Sequence, residues 1–232
     1  MGLSIAMKIN FPLLALAVGA FAIGTTEFSP MGFLPEIAND LSVSIPQAGL
    51  LISAYAVGVM IGAPLMTLWL ARFPKKTALI LLMAIFTIGN VLATVAPDYM
   101  SLMGARLITS LNHGAFFGLG SVVAASVVPK DKQASAVAMM FMGLTIANIG
   151  GVPLATWLSQ NTSWRMAFAA ISILGIMTML ALWKALPQDH DVVKPNVAKG
   201  LRVLTRAPVV LALLTTVMSA GAMFALYTYI AP

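Results

Sequence analysis

Five polar residues with chemistry to offer stand inside long apolar runs: Glu27, Arg106, Asn112, His113 and Asn148. A charge left alone in hydrocarbon is costly, so Glu27 and Arg106 call for each other or for a water-filled cavity. Each lies about six or seven residues from the same end of the bundle, roughly 9 Å deep at the helical rise, so they sit at similar depth. Two arrangements fit: a permanent salt bridge that holds two helices, or a carboxyl at Glu27 that exchanges its proton beside the guanidinium. Arg106, Ser110, His113 and Phe117 recur at the i, i+4, i+7, i+11 spacing of one helix face. An imidazole there suits proton traffic, because it titrates near neutral pH. It equally suits a neutral ring bonded to Asn112 or to a backbone carbonyl. Asn148 is open between contact with a small molecule and a bond between helices.

The runs that carry these residues must cross a membrane. Of 232 residues, 60% are hydrophobic and 9% charged, and the mean hydropathy is +0.96, which excludes a water-facing surface. A hydrocarbon layer about 30 Å thick takes roughly 20 apolar residues per helix. On that template seven spans fall near 11–33, 47–70, 77–96, 99–125, 134–158, 165–186 and 208–230. The first run is too long and too uncleavable for a signal peptide, and Met7 opens a string, MKINFPLL, that reads as a second start. With no cysteine and two histidines, thiolate metal sites, disulfides and cysteine nucleophiles are excluded, and neither a metal nor another cofactor is expected. The net charge of +6 is spread in short clusters rather than along a stripe, so no nucleic-acid partner is implied.

Those clusters report topology. Lys8, the group Arg72, Lys75 and Lys76, the pair Lys130 and Lys132, and the group Lys184, Lys194, Lys199, Arg202 and Arg206 place eleven bases on one face. Arg165 stands alone on the other, so the positive-inside rule sets the amino terminus in the cytoplasm. The polar stretch from Pro187 to Ala207 is a cytoplasmic linker. Its Val197, Leu201 and Leu204 recur at helical spacing among Lys199, Arg202 and Arg206, which fits an interfacial amphipathic helix as well as a disordered tether. Arg72, Lys75 and Lys76 are explained by topology alone, and also fit helix capping, contact with anionic lipid or a cytoplasmic gate.

An internal repeat organises the spans. Gly62-Ala63-Pro64-Leu65-Met66-Thr67 and Gly151-Val152-Pro153-Leu154-Ala155-Thr156 share G-x-P-L-x-T at an offset of 89 residues. The same offset carries Ala54, Gly58 and Gly62 onto Gly143, Ala147 and Gly151, two triplets of small residues that let helix backbones approach. Spans one to three and four to six are therefore duplicated, and an odd number of spans per unit inverts the second unit. That organisation is common in secondary transporters. Pro64 and Pro153 each remove a backbone donor and are expected to bend or loosen their helices.

The chain resembles the major facilitator superfamily, and within it the twelve-span drug/proton antiporter 1 group near the arabinose and sugar efflux subgroup. The resemblance is carried by Thr26-Glu27-Phe28-Ser29-Pro30 with Pro35, by Ala105-Arg106 through Asn112-His113-Gly114, by Gly150-Gly151-Val152-Pro153-Leu154 and by Trp164-Arg165. The family's loop signature G-x-L-A-D-R-x-G-R-K survives as Arg72, Lys75 and Lys76, while Thr67, Ala71 and Pro74 replace its Gly, Asp and Gly.

The resemblance implies an all-α membrane protein, with an N-terminal six-helix bundle at 1–186 built as a three-plus-three inverted repeat. It further implies a linker at 187–207, and a seventh transmembrane helix at 208–232 that begins an incomplete C-terminal half. The missing half, or a partner chain, is expected to complete the cavity. The implied function is proton-coupled efflux of drugs or sugars across the bacterial inner membrane by alternating access, the proton gradient being the coupling source and the lipid bilayer the setting. In such a carrier Glu27, Arg106, Asn112, His113 and Asn148 line the substrate and proton pathway. A non-transporting membrane subunit or receptor on the same scaffold is the alternative, whereas no serine, histidine and carboxylate set supports an enzyme.

Overall fold

The structure, a computed structural model, describes residues 10–187 and 205–229. Among them every regular element is helical, and seven helices are long and apolar enough to cross a membrane: Phe11–Gly32, Ile45–Leu70, Lys75–Thr94, Tyr99–Ser126, Lys130–Asn161, Trp164–Ala185 and Ala207–Leu226. The first six form a bundle, and the helix Ala207–Tyr229 is a separate unit. The expected linker helix around Val197, Leu201 and Leu204 lies outside the described residues.

The spans begin where side chains cap them. Asn10 accepts from the Leu13 amide, Ser44 from Gln47, Asp98 from Ser101 and Ser163 from Met166, each satisfying an otherwise unpaired donor of a first turn. Spans two and three therefore start at Ile45 and Lys75 rather than at 47 and 77, because a hydropathy template registers the first apolar residue and not the cap. An unanticipated helix, Leu34–Asp40, occupies the connection after span one.

Packing follows the repeat. Span five leans on span one, where a Cβ on Gly143 would stand 2.0 Å from the Ala17 carbonyl oxygen and one on Gly151 2.3 Å from the Thr25 hydroxyl. Span two leans on span four in the equivalent way, with Gly58 against the Ser110 hydroxyl and Gly62 against the Leu111 backbone. The second helix of each repeat thus packs on the first helix of the other, and the third helices, spans three and six, pack together. Leu16, Ile23, Leu79, Leu82, Phe86, Phe116 and Phe168 fill the centre. Large apolar side chains such as Met60, Leu65, Ile149 and Ile173 cover the outside, the reverse of a water-soluble bundle.

Two of the spans are irregular. Span four tightens at Leu111 and Asn112, whose amides bond three residues back to Ile108 and Thr109, and so divides into Tyr99–Ser110 and His113–Ser126. In span five the turn before Pro153 widens into a π-helical segment, Ala147–Gly151. Pro153 withholds the donor that the Ile149 carbonyl would take in an α-helix, which accounts for the loosening there. Pro64 interrupts nothing: span two runs unbroken from Ile45 to Leu70, and the adjacent Ala63 carbonyl accepts the Thr67 hydroxyl at 2.7 Å.

At one end of the bundle Asp40 gathers three connections. The Trp164 indole donates to its carboxylate at 3.0 Å, Arg165 pairs with the same oxygen, and the second Arg165 amino group donates to the Ala96 carbonyl at 2.9 Å. The guanidinium lies over the Trp164 ring, 4.1 Å from its centre. At the opposite end Lys76 donates to the Leu186 carbonyl at 2.7 Å, capping span six, and Arg72 stacks on Trp69 and Phe73.

Gly143→Ala should destabilise the protein by about 1–3 kcal/mol, since its Cβ meets backbone that cannot yield, while Gly118→Ala, which meets nothing, should be neutral or gain up to about 1 kcal/mol. Thermal unfolding in detergent checks both. The Arg165 hydrogen bond holds the Asp40 carboxyl below its ordinary range, with the Trp164 bond adding to the effect. A depressed carboxyl contributes stability above its unfolded value and loses it as pH falls through the folded one. Acidification below the usual carboxylate range should therefore loosen this clamp, and Asp40→Asn should abolish that acid dependence, as read by thiol labelling of a cysteine introduced at Asn39 in this cysteine-free chain.

Candidate functional site

The site starts from a backbone vacancy in span one. Pro30 has no N–H, so the carbonyl of Thr26, four residues earlier, lacks its helical partner. Arg106 of span four fills it, one terminal nitrogen donating to the Thr26 carbonyl at 2.9 Å. The Thr26 hydroxyl donates to the Asn90 amide oxygen at 2.7 Å, and the Asn90 amide nitrogen returns to the Phe86 carbonyl of its own span three at 2.9 Å. Spans one, three and four are tied by one continuous set of bonds.

The rest of the guanidinium lies on an aromatic face. Arg106 is 1% exposed, and its Nε and second terminal nitrogen find no hydrogen-bond acceptor among the described residues. Its carbon stands 4.2 Å from the centre of the Tyr55 ring of span two and 5.9 Å from that of Phe168 in span six. A desolvated cation over an aromatic face is attracted by about 2 kcal/mol or more, which offsets part of what the unused donors lose.

Tyr55 carries the chain of contacts onward. Its hydroxyl is 3.1 Å from His113 Nδ1, and His113 Nε2 is 3.8 Å from Glu27 Oε2, an ion-pair distance rather than a hydrogen bond. Glu27 and His113 are the members that remain partly open, with side-chain exposures of 14% and 15%. Beside them Phe117 lies 5.1 Å from the His113 ring and stacks on Phe141 of span five.

Three of the five residues singled out in the sequence therefore meet here. Arg106, Ser110 and His113 all turn toward span two, at Tyr55, Gly58 and Tyr55 in turn, despite the tightening at Leu111. Glu27 and Arg106 do not pair directly, for no oxygen of the one lies within 4 Å of a nitrogen of the other; Glu27 meets His113, and His113 meets Tyr55 rather than Asn112. Asn112 is fully buried with neither amide atom bonded among the described residues, and Asn148 donates to the Leu144 carbonyl of its own helix at 3.0 Å.

Sequence reasoning passed over Tyr55, Asn90 and the Thr26 carbonyl. A signal existed for each: Tyr55 is the one titratable residue of span two, Asn90 the one amide of span three, and Thr26 precedes Pro30 by the single spacing that frees a carbonyl.

A model described as Major Facilitator Superfamily matches residues 16–232. The chain is 68% identical to the inner membrane transport protein YdhP of Escherichia coli strain K12 over 97% of its own length, and 32% identical to a chloramphenicol resistance protein of Streptomyces lividans over 95%. It spans 58% and 57% of the length of those two relatives. Among solved structures, a peptide transporter in complex with sulfate superposes with a TM-score of 0.71 at 13% identity, covering 97% of this chain and 50% of that one, a likeness of fold.

The Thr26–Asn90 bond should appear in a double-mutant cycle of Thr26→Val and Asn90→Leu. The expected coupling is about 0.6 kcal/mol and no more than about 1.7 kcal/mol, the range found for side-chain bonds inside membranes. Additive unfolding energies would show the bond to be absent in solution.

Proposed function

The chain belongs to the major facilitator superfamily, and from that premise we propose that it supplies the N-terminal half of a proton-coupled exporter of small molecules. The observation that carries the proposal is the Glu27–His113 pair: two titratable side chains, partly open, face each other inside an apolar bundle beside a buried arginine that has no carboxylate within 4 Å among the described residues. Groups that can exchange protons with water and with each other suit coupling better than a sealed salt bridge does.

On this reading Glu27 carries the coupling proton and Arg106 sets its affinity for it. Substrate and proton occupy the site in alternation, so each excludes the other. Proton entry, worth about 2.3 kcal/mol per charge per 100 mV, drives substrate outward as the carrier alternates its access. Phe141, exposed and stacked on the buried Phe117, offers an aromatic surface, and Met31 stands one turn from Glu27, an apolar lining that suits varied drug-like or sugar-like ligands. Efflux as the direction is a further step of this reading, taken from the resistance in the name of the Streptomyces lividans relative, since an outward carrier would confer it. The bacterial inner membrane draws on that of YdhP, and the cytoplasmic amino terminus on the basic residues concentrated on one face. Asn112 and Asn148 are proposed as pathway residues in the same half, and Arg72, Lys75 and Lys76 as the cytoplasmic gate loop.

The helix Ala207–Tyr229 is read as the first span of a second half, which a longer form of the chain or a partner chain completes. Proteoliposomes bearing the completed carrier, loaded with a panel of antibiotics and pentoses under an imposed pH gradient, test the function. Glu27→Gln should reduce gradient-driven efflux at least tenfold while substrate binding becomes insensitive to pH; gradient-driven efflux undiminished in that variant would remove the proton role.

A further inference from the structure

Arg106 and His113 come together at one side chain, Tyr55, and both contacts have a direction. The Tyr55 residue is 3% exposed, so its hydroxyl proton needs an acceptor within the protein, and among the described residues the one supplied is His113 Nδ1 at 3.1 Å. The guanidinium over the Tyr55 ring withdraws electron density from it, making the phenol a better donor and a poorer acceptor. A neutral imidazole that accepts at Nδ1 carries its hydrogen on Nε2, the nitrogen turned toward Glu27.

We propose that Tyr55 is a positioning residue: it holds His113 in the Nε2–H tautomer and thereby relays the Arg106 charge to Glu27, which Arg106 does not itself touch. This rests on the reading of Glu27 and His113 as the coupling pair and names what orients them. An Nε2–H facing an ionised carboxylate is attractive. The opposite tautomer would set a ring lone pair against the carboxylate and repel it. Closing the present 3.8 Å to a hydrogen bond takes a shift of about 1 Å, within reach of a rotamer adjustment of Glu27.

The relay has few competitors for control of His113. Span one offers Glu27 as its only titratable group and span two Tyr55; span three has Lys75 and Lys76 in its first turn and none deeper. Span five has none after Lys132, and span four adds only Arg106 and the Tyr99 at its start. Among the described residues Tyr55 is the group found within hydrogen-bond distance of His113 Nδ1, and so the one placed to choose the tautomer from that side.

The test is histidine nitrogen NMR on the whole chain in lipid nanodiscs, in a His190→Gln background that leaves His113 as the sole imidazole. The unsubstituted site should give one neutral tautomer, protonated at Nε2, with Nδ1 in the range of a hydrogen-bonded acceptor. Tyr55→Phe keeps the ring beneath Arg106 and deletes only the hydroxyl, and should shift the tautomer ratio toward Nδ1–H by roughly fivefold or more. A site protonated at Nδ1 before any change at Tyr55 overturns the proposal without reliance on a variant, as does a ratio unmoved in a folded Tyr55→Phe protein. In the completed carrier the pH profile of flux should also shift in Tyr55→Phe. The spectrum decides the inference whether or not flux is seen, and a carrier without flux counts against the transport reading alone.

Discussion

A carbonyl that Pro30 leaves unpaired is the constraint around which the bundle is arranged. In lipid no water can satisfy it, and a backbone acceptor abandoned in hydrocarbon costs several kcal/mol. Arg106 answers it from another helix, at 2.9 Å. That one bond brings a cation into the buried interior of the bundle, and the cation in turn dictates what can stand near it: an aromatic face beneath, a hydroxyl and an amide at its side, and a carboxylate beyond direct reach. Each neighbour solves a problem created by the one before.

Such a network needs the helices to lie close, which is where the duplicated small residues matter. Without glycine at 58 and 62, span two could not bring Tyr55 within 4.2 Å of the guanidinium, because a side chain there would meet Ser110 and the Leu111 backbone. The matching residues of the second repeat press span five on span one just below Glu27, at Thr25 and Phe21. Close approach thus serves the chemistry as well as the packing. The irregular turns fall in the same region: the tightening at Leu111 sits between Arg106 and His113, and the wide turn of span five lies against span one.

The two ends of the bundle are held by different means. Asp40, Trp164, Arg165 and the Ala96 carbonyl join three connections at one end, while Lys76 caps span six at the other. Both use charge toward the ends of the bundle and, among the described residues, leave the buried interior to a single cation, Arg106. On the proposed reading, a half with one polar seam suits an element that moves as a body against another, as alternating access requires.

From the sequence alone come the several membrane crossings, the two related units of three spans, and the resemblance to the major facilitator superfamily. These follow from hydropathy, from the offset repeat and from short motifs, which are properties of neighbours along the chain. It also marked Glu27, Arg106 and His113 as residues that hydrocarbon would not tolerate alone. Which of them touch was beyond it, because contact between helices depends on rotation about each axis and on a separation of a few ångströms that composition does not encode. The tertiary structure alone decided that His113 rather than Arg106 meets Glu27, that Tyr55 stands between the charges, and that Asp40 pairs with Arg165 across 125 residues of chain. The reason is geometric: a cation can satisfy itself on a carbonyl or a ring as well as on a carboxylate, and only the packing of the helices selects which one is within reach.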